Sequence, residues 1–184
     1  PRPAYRFRNV ATPMGHPDDQ SVGSNPPRGA SIHYFLKEVP EGEMKITILD
    51  SSGNTVRSYQ AGGSVTKNAG INRFWWDLRY DRTDQIRLRT SPIGAPHIKV
   101  GPQGYRTIGR RFSVLAAPGS YTIRLTVDGM DYDQELTVLK DPRSAGTQES
   151  IEEQVAMQLE NTRLYEQQVA KQKLEEEKTK AEEA

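Results

Sequence analysis

The chain has 184 residues, of which 34% are hydrophobic and 27% are charged, and its formal net charge at pH 7 is +1. This length suits one ordinary domain with appendages, and the low hydrophobic fraction predicts that part of the chain lies outside a packed core. The lack of cysteine excludes disulfides, thiolate metal sites and thiol catalysis. No apolar run approaches the roughly 20 residues of a membrane-spanning helix. Because the sequence begins at Pro1, we expect a processed product from which any signal peptide has been removed.

The small net charge conceals two regions of opposite charge. Residues 149–184 contain 10 acidic and 5 basic residues, whereas the rest of the chain contains 14 acidic and 20 basic residues. An acidic tail on a basic body predicts separate surfaces for separate contacts.

The first segment, residues 1–27, is predicted to be an extended proline-rich arm. It holds six of the twelve prolines and shows neither a helical nor a strand period. Its composition is typical of a disordered leader. The alternative is an arm that is ordered on another surface, such as that of a partner chain.

Six segments between residues 28 and 143 have the pattern of β-strands. Alternation places Met44, Ile46 and Ile48 on one face of a strand, and Ser51–Asn54 is predicted to turn the chain into the next strand. Asp128-Gly129 predicts a hairpin between the last two strands. Six short strands at this spacing predict an all-β domain, an immunoglobulin-like β-sandwich. The strands are predicted at 31–37, 44–50, 55–59, within 69–80, at 119–127 and at 132–139, and in the fifth Tyr121, Ile123, Leu125 and Val127 share one face.

The stretch Ala69–Tyr80 contains both tryptophans and is predicted to be the central strand of this domain. We expect its tandem tryptophans to place aromatic rings on both faces. Asp77 is expected to pair with Arg73 or Arg79. Ile71, Phe74, Trp76 and Leu78 are assigned to one face of the strand, and Arg73, Trp75, Asp77 and Arg79 to the other, although Ile71 does not fit the alternation.

From residue 149 to residue 184 the pattern predicts a helix that is first amphipathic and then charged. Ser150 is predicted to cap the helix, with Glu153 as its capping-box partner. Beyond Val169 the only large apolar residue is Leu174, so the second half is predicted to be solvated and a coiled coil is disfavoured. The predicted apolar stripe consists of Ile151, Val155, Leu159, Thr162, Tyr165 and Val169.

Five sequence motifs follow one another along the chain: Asn25-Pro-Pro-x-Gly-Ala-x-Ile-x-Tyr34, Ile48-x-Asp50-x-x-Gly53-x-x-Val56-Arg57, Gly70-x-Asn72-Arg73-Phe74-x-Trp76-Asp77-Leu78-Arg79-Tyr80, Pro118-Gly119-x-Tyr121-x-x-Arg124-Leu125 and Asp141-Pro142-Arg143. In this order they resemble the C-terminal region of secreted bacterial sortilin-like (VPS10/BNR-repeat) propeller proteins, which are often labelled glycosyl hydrolases. The resemblance implies an immunoglobulin-like, hook-capping-protein-like domain without catalytic activity, located outside the cytoplasm. It also implies a structural role for a set of signature residues: Asn72, Arg73, Trp76, Asp77, Arg79, Asp141 and Arg143.

The chain departs from this family in lacking the propeller and in having a long basic loop at 81–111. Between Arg79 and Arg111 there are 8 basic and 2 acidic residues. Long irregular loops in compact domains are usually functional or disordered, and arginine suits bidentate carboxylate or phosphate contacts. A solvated loop without function is the alternative. The predicted partner-binding residues are Arg82, Arg87, Arg89, Lys99, Arg106, Arg110 and Arg111.

The sequence gives no pattern for a catalytic, cofactor or metal site. His16, His33 and His97 share no ligand spacing, and Asp77, Asp81 and Asp84 do not fit a calcium loop. Gly-x-Ser-x-Gly is missing, and Gly101-Pro-Gln-Gly104 is too short for a phosphate loop. Nucleic acid is disfavoured because no recognition motif accompanies the basic residues.

The sequence therefore predicts a non-catalytic assembly module of the bacterial cell envelope. It would be an accessory subunit of an extracytoplasmic or membrane-associated complex. Its arm, basic loop and helix would contact other protein subunits, possible partners including a membrane-protein complex. Two alternatives stay open: an accessory domain of a propeller-type secreted hydrolase, and a polyanion-binding protein that uses the basic loop.

Overall fold

The computed structural model describes residues 2–7, 27–83, 87–88, 97, 100, 105–106 and 113–182. This part of the chain is mostly β-strand, with one C-terminal helix. It divides into two compact units, Pro1–Asp81 with Leu115–Glu153 and Arg82–Val114 with Gln154–Ala184. The elements are β1 (Ala4–Arg6), β2 (Ala30–Leu36), β3 (Met44–Leu49), β4 (Thr55–Gln60), β5 (Gly70–Trp76), β6 (Arg87–Leu88), β7 (Tyr105–Arg106), β8 (Gly119–Val127), β9 (Met130–Lys140) and α1 (Gln148–Glu182).

The first unit contains two sheets. One has five strands in the order β1-β9-β8-β3-β4, and the other pairs β2 with β5. β1 runs parallel to β9, whereas the other pairs in these two sheets are antiparallel. All six strands predicted between residues 28 and 143 are present, with bounds shifted by up to a few residues.

The two hairpins of the five-stranded sheet follow from their turn residues. Asp128 and Gly129 both have positive φ, 50° and 82°, which a two-residue type I′ turn between β8 and β9 requires. In the turn between β3 and β4, Asp50 Oδ1 accepts the backbone N–H groups of Ser52 and Asn54, each at 2.9 Å. Both predicted turns are confirmed.

A single hydrophobic cluster collects inward side chains from both sheets. On β3 the predicted face is confirmed, since Met44, Ile46 and Ile48 are all buried. On β8 the face is buried only at Tyr121 and Ile123, while the residues nearer the hairpin are half-buried. The second sheet contributes Ala30, Leu36, Phe74 and Trp76 to the same cluster.

The tryptophan strand β5 differs from the prediction in two ways. In the described part of the chain it pairs only with β2, so it is not the central strand of a larger sheet. Its buried positions are Asn72, Phe74 and Trp76, and Ile71 is 82% exposed. The assignment of Ile71 to the buried face is wrong because alternation counted back from Trp76 reaches Asn72 and skips Ile71.

Part of the predicted arm forms a strand of this unit, which the sequence pattern does not predict. β1 pairs with the end of β9 in the register Ala4↔Val138 to Arg6↔Lys140. Ala4 is buried in the core, and Arg6 Nε donates to the carbonyl oxygen of Ala116 at 2.9 Å. Burial lowers the pKa of Arg6. Residues 8–26 of the arm lie outside the described residues.

Helix α1 begins at Gln148, two residues before the predicted cap Ser150. Thr147 Oγ1 accepts the backbone N–H of Ser150 at 3.2 Å, which makes Thr147 the N-cap. The capping role predicted for Ser150 is therefore wrong, and its hydroxyl donates to the Thr147 carbonyl instead. The predicted apolar stripe is confirmed: Ile151, Val155 and Val169 are buried, and Leu159, Thr162 and Tyr165 are half-buried.

Candidate protein-binding site

The predicted basic site is only partly described. Arg82 is exposed. Arg87 in β6 and Arg106 in β7 are direct register partners in a short antiparallel pair. The structure therefore brings two of the seven predicted positions together, and the role of the loop stays a prediction. The other four, Arg89, Lys99, Arg110 and Arg111, lie outside the described residues.

The signature residue Asp77 closes the turn that follows β5. Arg57 Nη1 donates to both carboxylate oxygens of Asp77, at 3.1 and 3.2 Å, and Arg57 Nε lies 3.4 Å from Asp81 Oδ1. Asp77 Oδ1 also accepts the backbone N–H of Arg79 at 3.2 Å. The side-chain partner is thus Arg57 on β4, whereas Arg73 or Arg79 was predicted. Arg73 cannot serve because its side chain lies on the exposed face of β5, where its Nε donates to His33 Nε2 at 3.1 Å.

The remaining signature residues also make structural contacts. Trp76 is fully buried, and its Nε1 donates to the carbonyl oxygen of Arg79 at 3.1 Å. The Asn72 amide makes four hydrogen bonds, to Thr66, Asn68 (twice) and Gly70. At the end of β9, Asp141 Oδ1 accepts the backbone N–H of Arg143 at 2.9 Å. The contacts of Trp76 and Asn72 hold loop backbone against β5, and the contact of Asp141 closes the turn that follows β9.

The outward face of the β2–β5 sheet carries exposed apolar side chains. Phe35 and Ile71 are direct cross-strand partners, and their exposed fractions are 69% and 82%. His33 and Arg73 form the next pair, and Ser31 and Trp75 the one after. We call these six residues the β2–β5 face. The signal that could have located it is the strict alternation of Asn72, Phe74 and Trp76, which places Ile71, Arg73 and Trp75 together on the opposite side.

A cavity of about 870 Å³ opens between β2 and the β8–β9 hairpin. We call it the β2–β9 groove. Its apolar lining includes Ile46, Ile123 and Leu125 from the five-stranded sheet and Ile32 from β2. Tyr132 also lines it and stays 54% exposed. The inner face of the hairpin is therefore incompletely covered on this side.

The outer face of the same hairpin is charged. Arg124 Nε and Nη2 donate to the two oxygens of Asp133, both at 2.8 Å, and Nη1 lies 3.6 Å from Asp131 Oδ2. These hydrogen bonds lower the pKa of Asp133 and raise the pKa of Arg124. Glu135 continues the acidic row along β9 and is exposed. Asp131 and Asp133 thus share a single guanidinium, and Glu135 lies opposite Thr122.

The described residues contain no group of three or more His, Asp or Glu side chains arranged to hold a metal ion. Within the same part of the chain, helix α1 is too polar to cross a bilayer. No family model, curated protein or solved structure matches the chain.

Proposed function

We propose that the chain is a non-catalytic protein-binding module built on an immunoglobulin-like β-sandwich. It serves as an accessory subunit of a larger extracytoplasmic or membrane-associated assembly in the bacterial cell envelope. The observation that carries the binding role is the β2–β5 face, where Phe35 and Ile71 lie exposed directly opposite each other.

The strand order supports the sandwich. In one sheet β8 lies between β3 and β9, as strand F lies between strands C and G in immunoglobulin-like domains. In the other sheet β2 pairs with β5, as strand B pairs with strand E. Near the start of β8, the Tyr121 hydroxyl donates to the carbonyl oxygen of Ala117 at 2.7 Å. A tyrosine bonded to the backbone just upstream at this corner is a feature of such sandwiches.

The exposed residues of the β2–β5 face favour a protein partner. Phe35 and Ile71 form an exposed apolar pair, and covering this pair with a partner would remove apolar surface from water. The face combines aliphatic and aromatic groups with the guanidinium of Arg73 and has no carboxylate among its six residues. Arginine and aromatic side chains are enriched at interfaces. The complementary partner surface is apolar with an acidic residue placed against Arg73.

The envelope location and the accessory role rest on the motif resemblance, which implies a domain outside the cytoplasm. The signature residues support that comparison in one respect, since Asn72, Trp76 and Asp77 hold backbone in place. The arm, the basic loop and the helix are further proposed contacts. In this proposal the β-sandwich is the scaffold, and the β2–β5 face determines which partner binds.

Site-specific photocrosslinking in the source cell tests the proposal. A photoreactive phenylalanine analogue at position 35 is expected to give an adduct with one dominant protein. The same analogue at Ser52, which is exposed in the turn between β3 and β4, is the matched control and is expected to give none. Ile71→Asp should abolish the adduct at position 35 without unfolding the domain. The absence of an adduct at position 35, or equal adducts at both positions, would refute the proposal.

A further inference from the structure

We propose that the edge of β9 from Asp131 to Glu135 accepts an extended peptide of alternating basic and apolar residues as an added strand. Its apolar side chains would enter the β2–β9 groove, and its basic side chains would lie beside the acidic row of β9. This inference deepens the proposed protein-binding function and rests on it. It concerns the edge of β9, whereas the crosslinking position Phe35 of the β2–β5 face does not line the groove; three other residues of that face, Ser31, His33 and Trp75, do line it.

The backbone of β9 supplies the hydrogen-bonding groups. Val127 and Met130 flank the two-residue turn and therefore exchange both of their backbone hydrogen bonds. Because hydrogen-bonded pairs alternate along an antiparallel ladder, Tyr132 and Gln134 also direct their N–H and C=O groups toward β8. The corresponding groups of Asp131, Asp133 and Glu135 point to the opposite edge. Among the described residues no strand pairs with that edge before Val138.

The groove supplies the apolar contacts. Side chains alternate along β9, so Tyr132 and Gln134 share the inner face with the buried Leu136 and Val138. The groove is lined by all five residues from Tyr132 to Leu136. Tyr132 stays 54% exposed, and its cross-strand partner Leu125 is only half-buried. A strand added beside β9 would place every second side chain next to these residues. Covering Tyr132 and Leu125 removes apolar surface from water, which favours binding.

The negative charge of the β9 edge determines which outward-facing side chains the added strand should carry. The outer face of this edge carries Asp131, Asp133 and Glu135, and Arg124 pairs with the first two. Glu135 lies opposite the uncharged Thr122 and makes no ion pair among the described residues. The row therefore keeps a net negative charge. Opposite charges on adjacent strands are favourable and like charges are unfavourable, so the outward residues of the added strand should be basic.

β1 shows that this edge accepts a strand. It occupies the adjoining part of the same edge, from Val138 to Lys140, in parallel register. There Ala4 fills the inner face and is buried, as an apolar residue of the added strand would be. Arg2 and Pro3 already line the end of the groove. The proposed site continues this pairing along β9. Recognition by strand addition obtains affinity from main-chain hydrogen bonds and specificity from alternate side chains.

Nuclear magnetic resonance on the full ¹⁵N-labelled chain tests the inference. The probe is an acetylated, amidated peptide of eight residues in which Lys and Val alternate. Its controls are an alternating Glu/Val peptide and a peptide with four Lys followed by four Val. The alternating Lys/Val peptide should slow amide hydrogen exchange at Asp131, Asp133 and Glu135, and neither control should do so.

Glu135→Lys is the test variant, and Glu38→Lys is the matched control, since Glu38 is exposed and does not line the groove. Reversing the charge at position 135 should raise Kd for the Lys/Val peptide by about three- to tenfold. The control should leave Kd within twofold.

Three results would overturn the inference. They are unchanged exchange at the three edge amides, equal binding of the block peptide, and protection of these amides by self-association at high protein concentration. The last would identify a second copy of the chain as the occupant. Crosslinking from position 35 is independent of these results, so failure of the peptide test is distinguishable from failure of the proposed function.

Discussion

The indole ring of Trp76 packs edge to face against the phenol ring of Tyr121, with centroids 5.2 Å apart and an interplanar angle of 65°. Trp76 belongs to β5 and Tyr121 to β8, so this contact joins the two sheets of the first unit. The Tyr121 hydroxyl donates to the carbonyl oxygen of Ala117. Burial is the largest cause that raises the pKa of Tyr121, and the nearby Tyr80 and Asp50 raise this pKa further. The phenol therefore stays protonated and keeps donating across the physiological pH range.

Removing the Tyr121 hydroxyl tests how much its hydrogen bond to Ala117 stabilises the fold. Tyr121→Phe leaves the aromatic contact in place but deprives the partly buried carbonyl of Ala117 of its donor. The free energy of unfolding should fall by about 1–2 kcal/mol. Urea denaturation followed by tryptophan fluorescence measures this change. The matched control is Tyr132→Phe on exposed β9, which should change stability by less than about 0.5 kcal/mol. Equal effects of the two substitutions would contradict the assigned role.

Asn72 is predicted to be a structural residue, and replacing it tests that role. Asn72→Ala removes four hydrogen bonds and leaves the backbone groups of Asn68 and Gly70 without their side-chain partner. The expected loss of unfolding free energy is about 2 kcal/mol or more. Asn68→Ala serves as the control, because only the backbone of Asn68 takes part in these bonds. If Asn72→Ala were no more destabilising than Asn68→Ala, the amide would not be holding the loop.

Gly29 belongs to the first resemblance motif, and its surroundings explain why this position is glycine. Its φ is +124°, and a Cβ added there would lie 2.1 Å from the carbonyl oxygen of Trp76. Gly29→Ala should therefore destabilise the fold by more than about 2 kcal/mol, because it combines backbone strain with a steric clash. Gly63→Ala is the control, since a Cβ there meets no atom within 4 Å. Differential scanning calorimetry of the two variants should show a large fall in Tm only for Gly29→Ala.

The Arg124–Asp133 pair predicts a specific dependence of stability on pH. Because the folded-state pKa of Asp133 lies below its unfolded value, its contribution is present above the unfolded pKa of about 3.9. It is lost as pH falls through the folded value. The stability difference between the native sequence and Arg124→Gln should thus be constant from pH 7 to about pH 5 and shrink at lower pH.

Urea denaturation at a series of pH values measures that difference. Lys37→Gln, which removes an exposed positive charge outside this pair, should show no such narrowing. A stability difference for Arg124→Gln that stays constant down to pH 2.5 would show that the pair does not contribute.

Four of the five strands of the larger sheet, β3, β4, β8 and β9, were predictable because local signals agreed. β3 alternates cleanly, and Asp128-Gly129 can adopt the positive φ values of a tight turn, so the β8–β9 hairpin followed from sequence alone. The helix stripe was predictable for the same reason, since six residues at helical spacing suffice to define a face.

The features that the sequence did not reveal depend on contacts between distant residues. β1 has three residues and no periodicity of its own, and it is defined by its pairing with Val138–Lys140. The partner of Asp77 is Arg57, 20 residues earlier on a different strand. Ile71 lies on the face opposite to the predicted one, because the buried positions of its strand are Asn72, Phe74 and Trp76. Hydrophobicity alone therefore does not predict which face of a strand is buried.

The exposed β2–β5 face is the feature on which the proposed function depends most. Hydroxyl-radical footprinting of the isolated chain, compared with the chain in its native envelope fraction, measures the accessibility of Phe35 and Ile71 directly. A free reporter peptide added to both samples measures the radical dose. Oxidation of Phe35 and Ile71, normalised to this peptide, is expected to fall at least several-fold in the envelope fraction. Equal oxidation of both residues in the two samples would contradict it.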